Sequence, residues 1–228
     1  LFSCSGGGKK KAGPKPEPEV DVREVGTAAE LINAIGPDRT LKLKSGTYVL
    51  SEVPDSFKEH VVWSKVFDGK TIAVKGVNGL AIIGPKDRSA KLLVRPRYAY
   101  VLEFKNCDRL RLENLVLGHA PKKGYCTRGV LGLKNVRGAK IDNCDLFGCG
   151  TEGLTLQGVS DLVFSKSIIR DCSYGIMTLK DCRALSFADS KFTGNKEFWG
   201  VQVQHCKDVS FKGCSFTRNQ IDGPLFTV

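Results

Sequence analysis

The chain has 228 residues, 41% of them apolar, with 8% aromatics, one Met and 25 Gly. That is enough apolar matter to build a core, so wholesale disorder is excluded, and so much Gly beside so little Met argues against a helical bundle and for strands and turns. Lys and Arg outnumber Asp and Glu by 35 to 24, a net charge of +11 of which residues 1–20 carry only +2. The remainder therefore favours an anionic partner.

No run of 18 apolar residues is present, so no segment reads as a bilayer-spanning helix. The first residues, Leu1-Phe2-Ser3-Cys4, resemble a bacterial lipobox, Leu-x-small-Cys, although Phe2 stands where a small residue is usual. In that reading Cys4 is the lipidated residue. The Gly-rich and Pro/Glu-rich tract that follows makes residues 1–21 a disordered tether. The expectation is an exported, lipid-anchored protein of the cell envelope, at the outer membrane or the cell surface. The competing reading is a disordered terminus with one ordinary Cys.

A short strand is expected at Val22-Arg23-Glu24-Val25. Thr27-Ala28-Ala29-Glu30 then has capping-box spacing, and Leu31, Ile32 and Ile35 give a helix over 27–35 an apolar face that stops at Gly36-Pro37. Beyond Thr40 the chain alternates apolar and polar residues in short runs, and it repeats. With Val77, Cys107, Val136, Val159, Cys182 and Cys206 as anchors, the spacings are 30, 29, 23, 23 and 24 residues. Positions three and five before the anchor, and three, five and ten after it, are large and apolar in 28 of 29 cases, Ala139 being the exception. Leu41-Lys42-Leu43-Lys44 fits the same frame as an earlier coil, with Gly46 at the anchor position. Three short strands per repeat of about 23 residues, with like side chains returning each turn, predict a solenoid of parallel strands. A leucine-rich repeat lacks its consensus here, and Phe fills the second-strand column. The predicted fold is all-β: a right-handed parallel β-helix of about seven coils over residues 22–228, with residues 22–36 capping an otherwise open N-terminal end.

Residues Val22 to Val228 resemble bacterial right-handed β-helix proteins of the pectin-lyase-like superfamily, including uncharacterised lipoproteins. The phrases that carry the resemblance are Thr27-Ala28-Ala29-Glu30-Leu31, Ser45-Gly46-Thr47-Tyr48, Gly118-His119, Gly124-Tyr125-Cys126, Cys149-Gly150-Thr151-Glu152-Gly153-Leu154 and Tyr174-Gly175-Ile176-Met177-Thr178. The resemblance implies the fold. It implies no single activity, because the superfamily holds lyases, hydrolases, esterases, tailspikes and adhesins.

Nine Cys in an exported chain suggest disulfides. Instead, the register stacks Cys182 on Cys206 and Cys149 on Cys172 at the strand spacing of about 4.8 Å, wider than the Cβ separation of about 3.8 Å in a disulfide. Stacked buried thiols are expected, with Asn195 and Asn219 forming an amide ladder. No Cys-x-x-Cys pair exists and there are three His, so no metal site is predicted and no cofactor is expected. Ca²⁺ would enter only if the protein were a lyase.

Two residues before each anchor come Lys44, Lys75, Lys105, Lys134, Gln157, Lys180 and Gln204, an outward ladder on the first sheet. It reads either as a device that keeps a flat sheet soluble or as a row for an anionic ligand. The stretch before the first strand supplies His119, Lys122, Lys123, Tyr125 and Arg128 in one coil, and Glu152, Tyr174 and Phe198-Trp199 in later ones. Tyr174 and Trp199 beside the lysines suit a sugar-binding wall, although loop aromatics also serve simply to cover a sheet rim. In pectate-lyase-like enzymes the cleft lies on this sheet, so the resemblance agrees. The paired carboxylates that polysaccharide hydrolysis needs are missing from these columns, where Glu103 and Glu152 are the clearest acids. Glu152, His119, Tyr125 and Arg128 are the candidates for an acid/base site. The favoured function is binding of acidic polysaccharide or cell-envelope glycan; the alternatives are a pectin-lyase-like lyase or hydrolase, and a structural or adhesive surface protein. No nucleic-acid motif is present, and a monomer is expected.

Overall fold

The computed structural model describes residues 21–56, 58–121, 127–148 and 151–228. The chain winds as a parallel β-helix with three sheet faces. The first face stacks Gly69–Lys75, Leu102–Asp108, the start of Leu131–Asp142, Leu154–Gln157, Gly175–Lys180, Trp199–Gln204 and Phe226–Thr227. The second runs from Asp21–Val25 through Arg39–Leu43 to Lys207–Lys212, and the third from Gly46–Val49 to Ser215–Thr217 in seven strands. The long strand Leu131–Asp142 turns the corner from first face to second without a break.

The expected columns are the observed ones. Leu131 pairs with Leu102 and Leu154, Phe164 with Ile141 and Phe187, and Phe192 with Ile169 and Phe216. Phe164, Phe187 and Phe192 have no exposed surface, and the Phe187 and Phe211 rings stack at 4.6 Å. Between the faces the backbone turns through left-handed residues. Asn106, Asn135, Asp181 and His205 do so one before the anchor, where Gly158 serves the intervening coil. Asn and Asp tolerate this conformation because their short polar side chains bond locally; Asn135 Nδ2 donates to Asn106 Oδ1 at 3.1 Å.

Inside each corner a small polar group caps the neighbouring coil. The Cys182 and Cys206 thiols donate to the carbonyls two residues back, and their sulfurs accept from the Val159 and Cys182 N–H groups at 3.4 and 3.3 Å. Ser167 and Ser190 do the same at the next corner, accepting from Cys144 N and Ser167 N. At the third corner Asn195 Oδ1 accepts from Cys172 N and Asn219 Oδ1 from Asn195 N, both at 3.0 Å. Cys107, Cys144, Cys182, Cys206 and Cys214 keep free thiols. Burial pushes Cys144 up to about 12 and Cys182 up to about 11, so both stay protonated. Cys149 and Cys126 lie outside the described residues.

At the N-terminal end the helix Ala28–Ala34 buries Leu31, Ile32 and Ala34 over the first coil. Thr27 Oγ1 accepts from Glu30 N at 3.1 Å, while Glu30 Oε2 reaches back to Gly26 N at 2.7 Å, one residue before the position a regular capping box uses. Two expectations need correction. Leu41-Lys42-Leu43 lies on the second face, pairing with Val22–Val25 and Ala81–Ile83, so Lys44 is not part of the first-face ladder and instead sits 3.6 Å from Glu24. The frame misplaced it because the first coil lacks a first-face strand, and alternating residues fit either face equally well. That place is taken by a hairpin: Val61–Val66 pairs antiparallel with Gly69–Lys75 and covers the edge.

Candidate functional site

The first face presents four aligned outward columns in its middle coils, each coil about 4.8 Å from the next. Two before the anchor stand Lys75, Lys105, Lys134, Gln157, Lys180 and Gln204, paired in register as expected. Lys105 is half-buried and held 2.8 Å from Glu103 on its own strand. Lys75, Lys134, Gln157, Lys180 and Gln204 are exposed, and among the described residues no carboxylate lies within ion-pairing distance of the three lysines. In the middle coils of the second face Glu113 bridges Arg111 at 3.0 Å and Lys140 at 3.1 Å, and Lys140 approaches Asp142 at 3.8 Å; farther along that face Arg183, Lys207 and Lys212 have no carboxylate within ion-pairing distance among the described residues.

Four before the anchor come Glu103, Gly132, Thr155, Thr178 and Gln202. Seven before it come Tyr100, Gly129, Glu152, Gly175 and Trp199, a large-small alternation. Eight before it, Arg128, Thr151, Tyr174 and Phe198 form the rim, linked by Thr151 N to Arg128 O, Tyr174 N to Thr151 O and Phe198 N to Tyr174 O. The large residues lie down across the glycines. A Cβ on Gly175 would meet the Trp199 indole nitrogen at 2.3 Å, and one on Gly132 would meet the Tyr100 ring at 3.1 Å. Tyr100 and Trp199 thus reach toward the same coil from opposite sides. That coil carries Glu152, only 6% exposed.

Glu152 Oε1 accepts from Thr155 Oγ1 at 2.6 Å, and Oε2 accepts from Thr178 Oγ1 at 2.5 Å and from Trp199 Nε1 at 3.4 Å. Burial raises its pKa, while these three donors pull the other way. The carboxyl is therefore a hub that gathers residues from three coils, with both oxygens engaged by the protein. The Tyr100 hydroxyl lies against Thr155, and burial likewise raises that phenol. The Arg128 guanidinium carbon stands 5.6 Å from the Tyr100 ring centroid. On the rim Tyr174 packs on Phe198 at 5.2 Å, and Phe198 on Trp199 at 6.2 Å.

The structure thus brings Glu152, Arg128, Tyr174 and Trp199 to one side of the first face. His119 is elsewhere: it ends the strand Leu115–His119 on the third face, 2% exposed, with Nε2 2.9 Å from Ala99 O. A carbonyl only accepts, so Nε2 carries the proton. Burial lowers the pKa of the ring and keeps it neutral, and it props the segment leading into Tyr100 from inside. Tyr125 and its neighbours Lys122 and Lys123 lie outside the described residues, as does Cys4. The sequence reading missed Tyr100, Thr155, Thr178 and the glycines at 129, 132 and 175. The alternation seven before the anchor was the available signal, since large side chains separated by Gly on one column must lie along the sheet.

Among the described residues no three His, Cys, Asp or Glu side chains come together to hold a metal ion, and no helix is long and apolar enough to cross a membrane. A cleft of about 390 Å³ lies at the hairpin end, lined by Glu52, Trp63, Asp68 and Arg95. Arg95 pairs with Glu52 at 2.6 Å and Asp68 accepts from the Arg97 and Tyr98 N–H groups, while the buried Trp63 Nε1 has no hydrogen-bond partner among the described residues.

Residues 121–227 match the family described as right handed beta helix region. Among solved structures, the chain is similar to an alginate lyase from a Paenibacillus species, at 10% identity and a TM-score of 0.55, over 88% of this chain and 76% of that one. It also aligns with the A-module of a mannuronan C-5 epimerase from Azotobacter vinelandii, at 13% identity and a TM-score of 0.25, over 84% of this chain and 64% of that one. No curated protein matches it. Three parallel faces, the repeat register and the match over residues 121–227 converge: the chain folds as a right-handed parallel β-helix.

Proposed function

We propose that this protein binds acidic polysaccharide along the outer side of its first face. The observation that carries the reading is the state of the first-face lysines. In the middle coils of the second face Arg111 and Lys140 are neutralised by Glu113 and Asp142, whereas Lys75, Lys134 and Lys180 stand in line with no carboxylate partner among the described residues. An unneutralised like-charge row is unfavourable alone and is relieved by a polyanion laid along it. The aromatic rim from Tyr174 to Trp199 supplies flat apolar surface on the same face, five to six residues along the strands from that row, and sugar rings with acidic substituents require both kinds of surface. The similar fold of a Paenibacillus alginate lyase supports a polysaccharide ligand. Lipidation at Cys4 and placement at the cell envelope belong to the same proposal and bring the protein to such glycans.

The test is calorimetric titration of the purified chain with polyuronate, sulfated glycan and a neutral glucan. Binding of the acidic polymers should weaken steeply with salt, because exposed charges are screened over about 8–10 Å, and Lys134→Glu with Lys180→Glu should weaken it at least tenfold. Equal binding of neutral and acidic polymers, or none, would leave the ladder a solubility device. Appearance of unsaturated sugars or new reducing ends during incubation would replace binding by a lyase or hydrolase activity.

A further inference from the structure

The first face holds a built platform rather than a loose aromatic rim. Trp199 reaches back across Gly175 and donates its indole N–H to Glu152, two coils away in the stack. The acceptor is itself buried and fixed by two threonine hydroxyls from consecutive strands. A glycine bed, a buried anchor and a hydrogen bond set the plane of the ring, yet Trp199 stays partly exposed. A core or rim-covering Trp has no need of such an arrangement, whereas a ring that must meet a flat ligand does.

The charged row, five residues along the strands from the Trp199 column on the same face, has a period. Lys134 and Lys180 are two coils apart with Gln157 between them, so these positive charges, without carboxylate partners among the described residues, recur at about 9.6 Å, twice the strand spacing. Chains of 1,4-linked uronic acids divide here. Where both linkage bonds are equatorial, successive sugars are flipped by half a turn, the chain is a flat ribbon with axial hydrogens on its faces, and the carboxylates on one edge recur every second sugar. One sugar of such a ribbon is about as long as one coil spacing, so its one-edge carboxylates match alternate coils. Where both linkage bonds are axial, the chain is buckled and presents no such flat face.

Resting on the polysaccharide reading above, we infer that Trp199 is the stacking platform for one sugar of a diequatorial, 1,4-linked polyuronate lying parallel to the solenoid axis. Alternate carboxylates meet Lys134 and Lys180, while Glu152 acts as a positioning residue that holds the indole flat. The preference for this linkage comes from the ring, and the electrostatic attraction, blind to linkage, comes from the lysines.

The chain contains two tryptophans, so Trp63→Phe leaves Trp199 as the sole indole reporter. In that background, equal-length oligomers of β-1,4-linked glucuronate and α-1,4-linked galacturonate carry the same charge and differ in linkage geometry. The glucuronate oligomer should bind at least tenfold more tightly and shift the Trp199 emission. Trp199→Ala should bring the two affinities within about twofold while residual binding stays salt-sensitive. Glu152→Leu should do likewise and red-shift the emission of the unliganded protein, whereas Glu152→Gln, which can still accept from the indole, should keep most of the preference. If both oligomers bind equally, or if the preference survives Trp199→Ala, the platform is refuted while the polysaccharide reading stands. If neither oligomer binds, the polysaccharide reading fails first. A glucuronate preference without any change in Trp199 emission would likewise overturn the assignment.

Discussion

Replacing Asn195 by Ala probes the corner ladders, on which the stacking of coils depends. Asn195 has no exposed surface; its Oδ1 accepts from Cys172 N at 3.0 Å, and its Nδ2 donates to Ile169 O at 3.2 Å and to Asn219 Oδ1 at 3.0 Å. Alanine takes the acceptor away from one buried N–H, which costs about 1–3 kcal/mol, and leaves a small void beside the Ile169 carbonyl. The expected loss is about 3 kcal/mol against a total of about 5–15, a downward shift of about 1–2 M in the urea midpoint for an m-value near 2 kcal/mol/M. Asn195→Cys should recover about half of it, because the Cys182 and Cys206 sulfurs show that a thiol in a corner accepts from the neighbouring coil's N–H. Equilibrium urea denaturation followed by circular dichroism gives the midpoints, and hydrogen exchange at the Cys172 amide should accelerate in the Ala variant first. A loss below about 1 kcal/mol, or a Cys variant no better than Ala, would refute the view that corner groups stabilise the stack by capping N–H groups.

Two buried titrating groups give opposite pH slopes. Burial raises the Glu152 pKa, so the folded state holds that proton to higher pH than the unfolded chain, and stability falls as pH rises from the ordinary Glu value through the folded one. Thermal melts from pH 4 to 8 should therefore show a flatter alkaline-side decline for Glu152→Gln. Burial lowers the His119 pKa, so stability is lost as pH falls below about 6.5, and His119→Gln should flatten that acid limb. Thiol titration of the native protein with an aromatic disulfide should label the half-buried Cys206 and Cys214 well before Cys144 and Cys182, which should react only at the rate of unfolding; rapid labelling of Cys144 would contradict its burial. Growth of cells expressing the intact precursor with a fatty-acid analogue should mark the protein, and Cys4→Ala should abolish the label; an unlabelled wild type would remove the lipid anchor from the proposal.

Much of this architecture was legible along the chain because a solenoid is nearly one-dimensional. Each coil contacts chiefly its two neighbours, so Leu133 over Phe104, Phe187 over Phe164 and the Lys134–Gln157–Lys180 row follow from spacing once the repeat is found. The capping helix was legible for a local reason, since Thr27 and Glu30 satisfy N–H groups a few residues away. The failures came where periodicity had no counterpart to copy. Leu41–Leu43 alternates as any strand does, and only its pairing with Ile82 assigns it to the second face. Val61–Val66 has no equivalent in other coils, and an antiparallel partner leaves no trace in a parallel repeat. The site depended still more on three dimensions. Spacing shows which residues share a column, but not that Trp199 lies down over Gly175 to reach Glu152, nor that His119 turns inward to Ala99. Backbone register is set by a repeating apolar pattern that any reader of the sequence can count. The direction a long polar side chain takes is set by whichever hydrogen-bond partners and empty spaces its neighbouring coils provide, and those exist only once the coils have stacked.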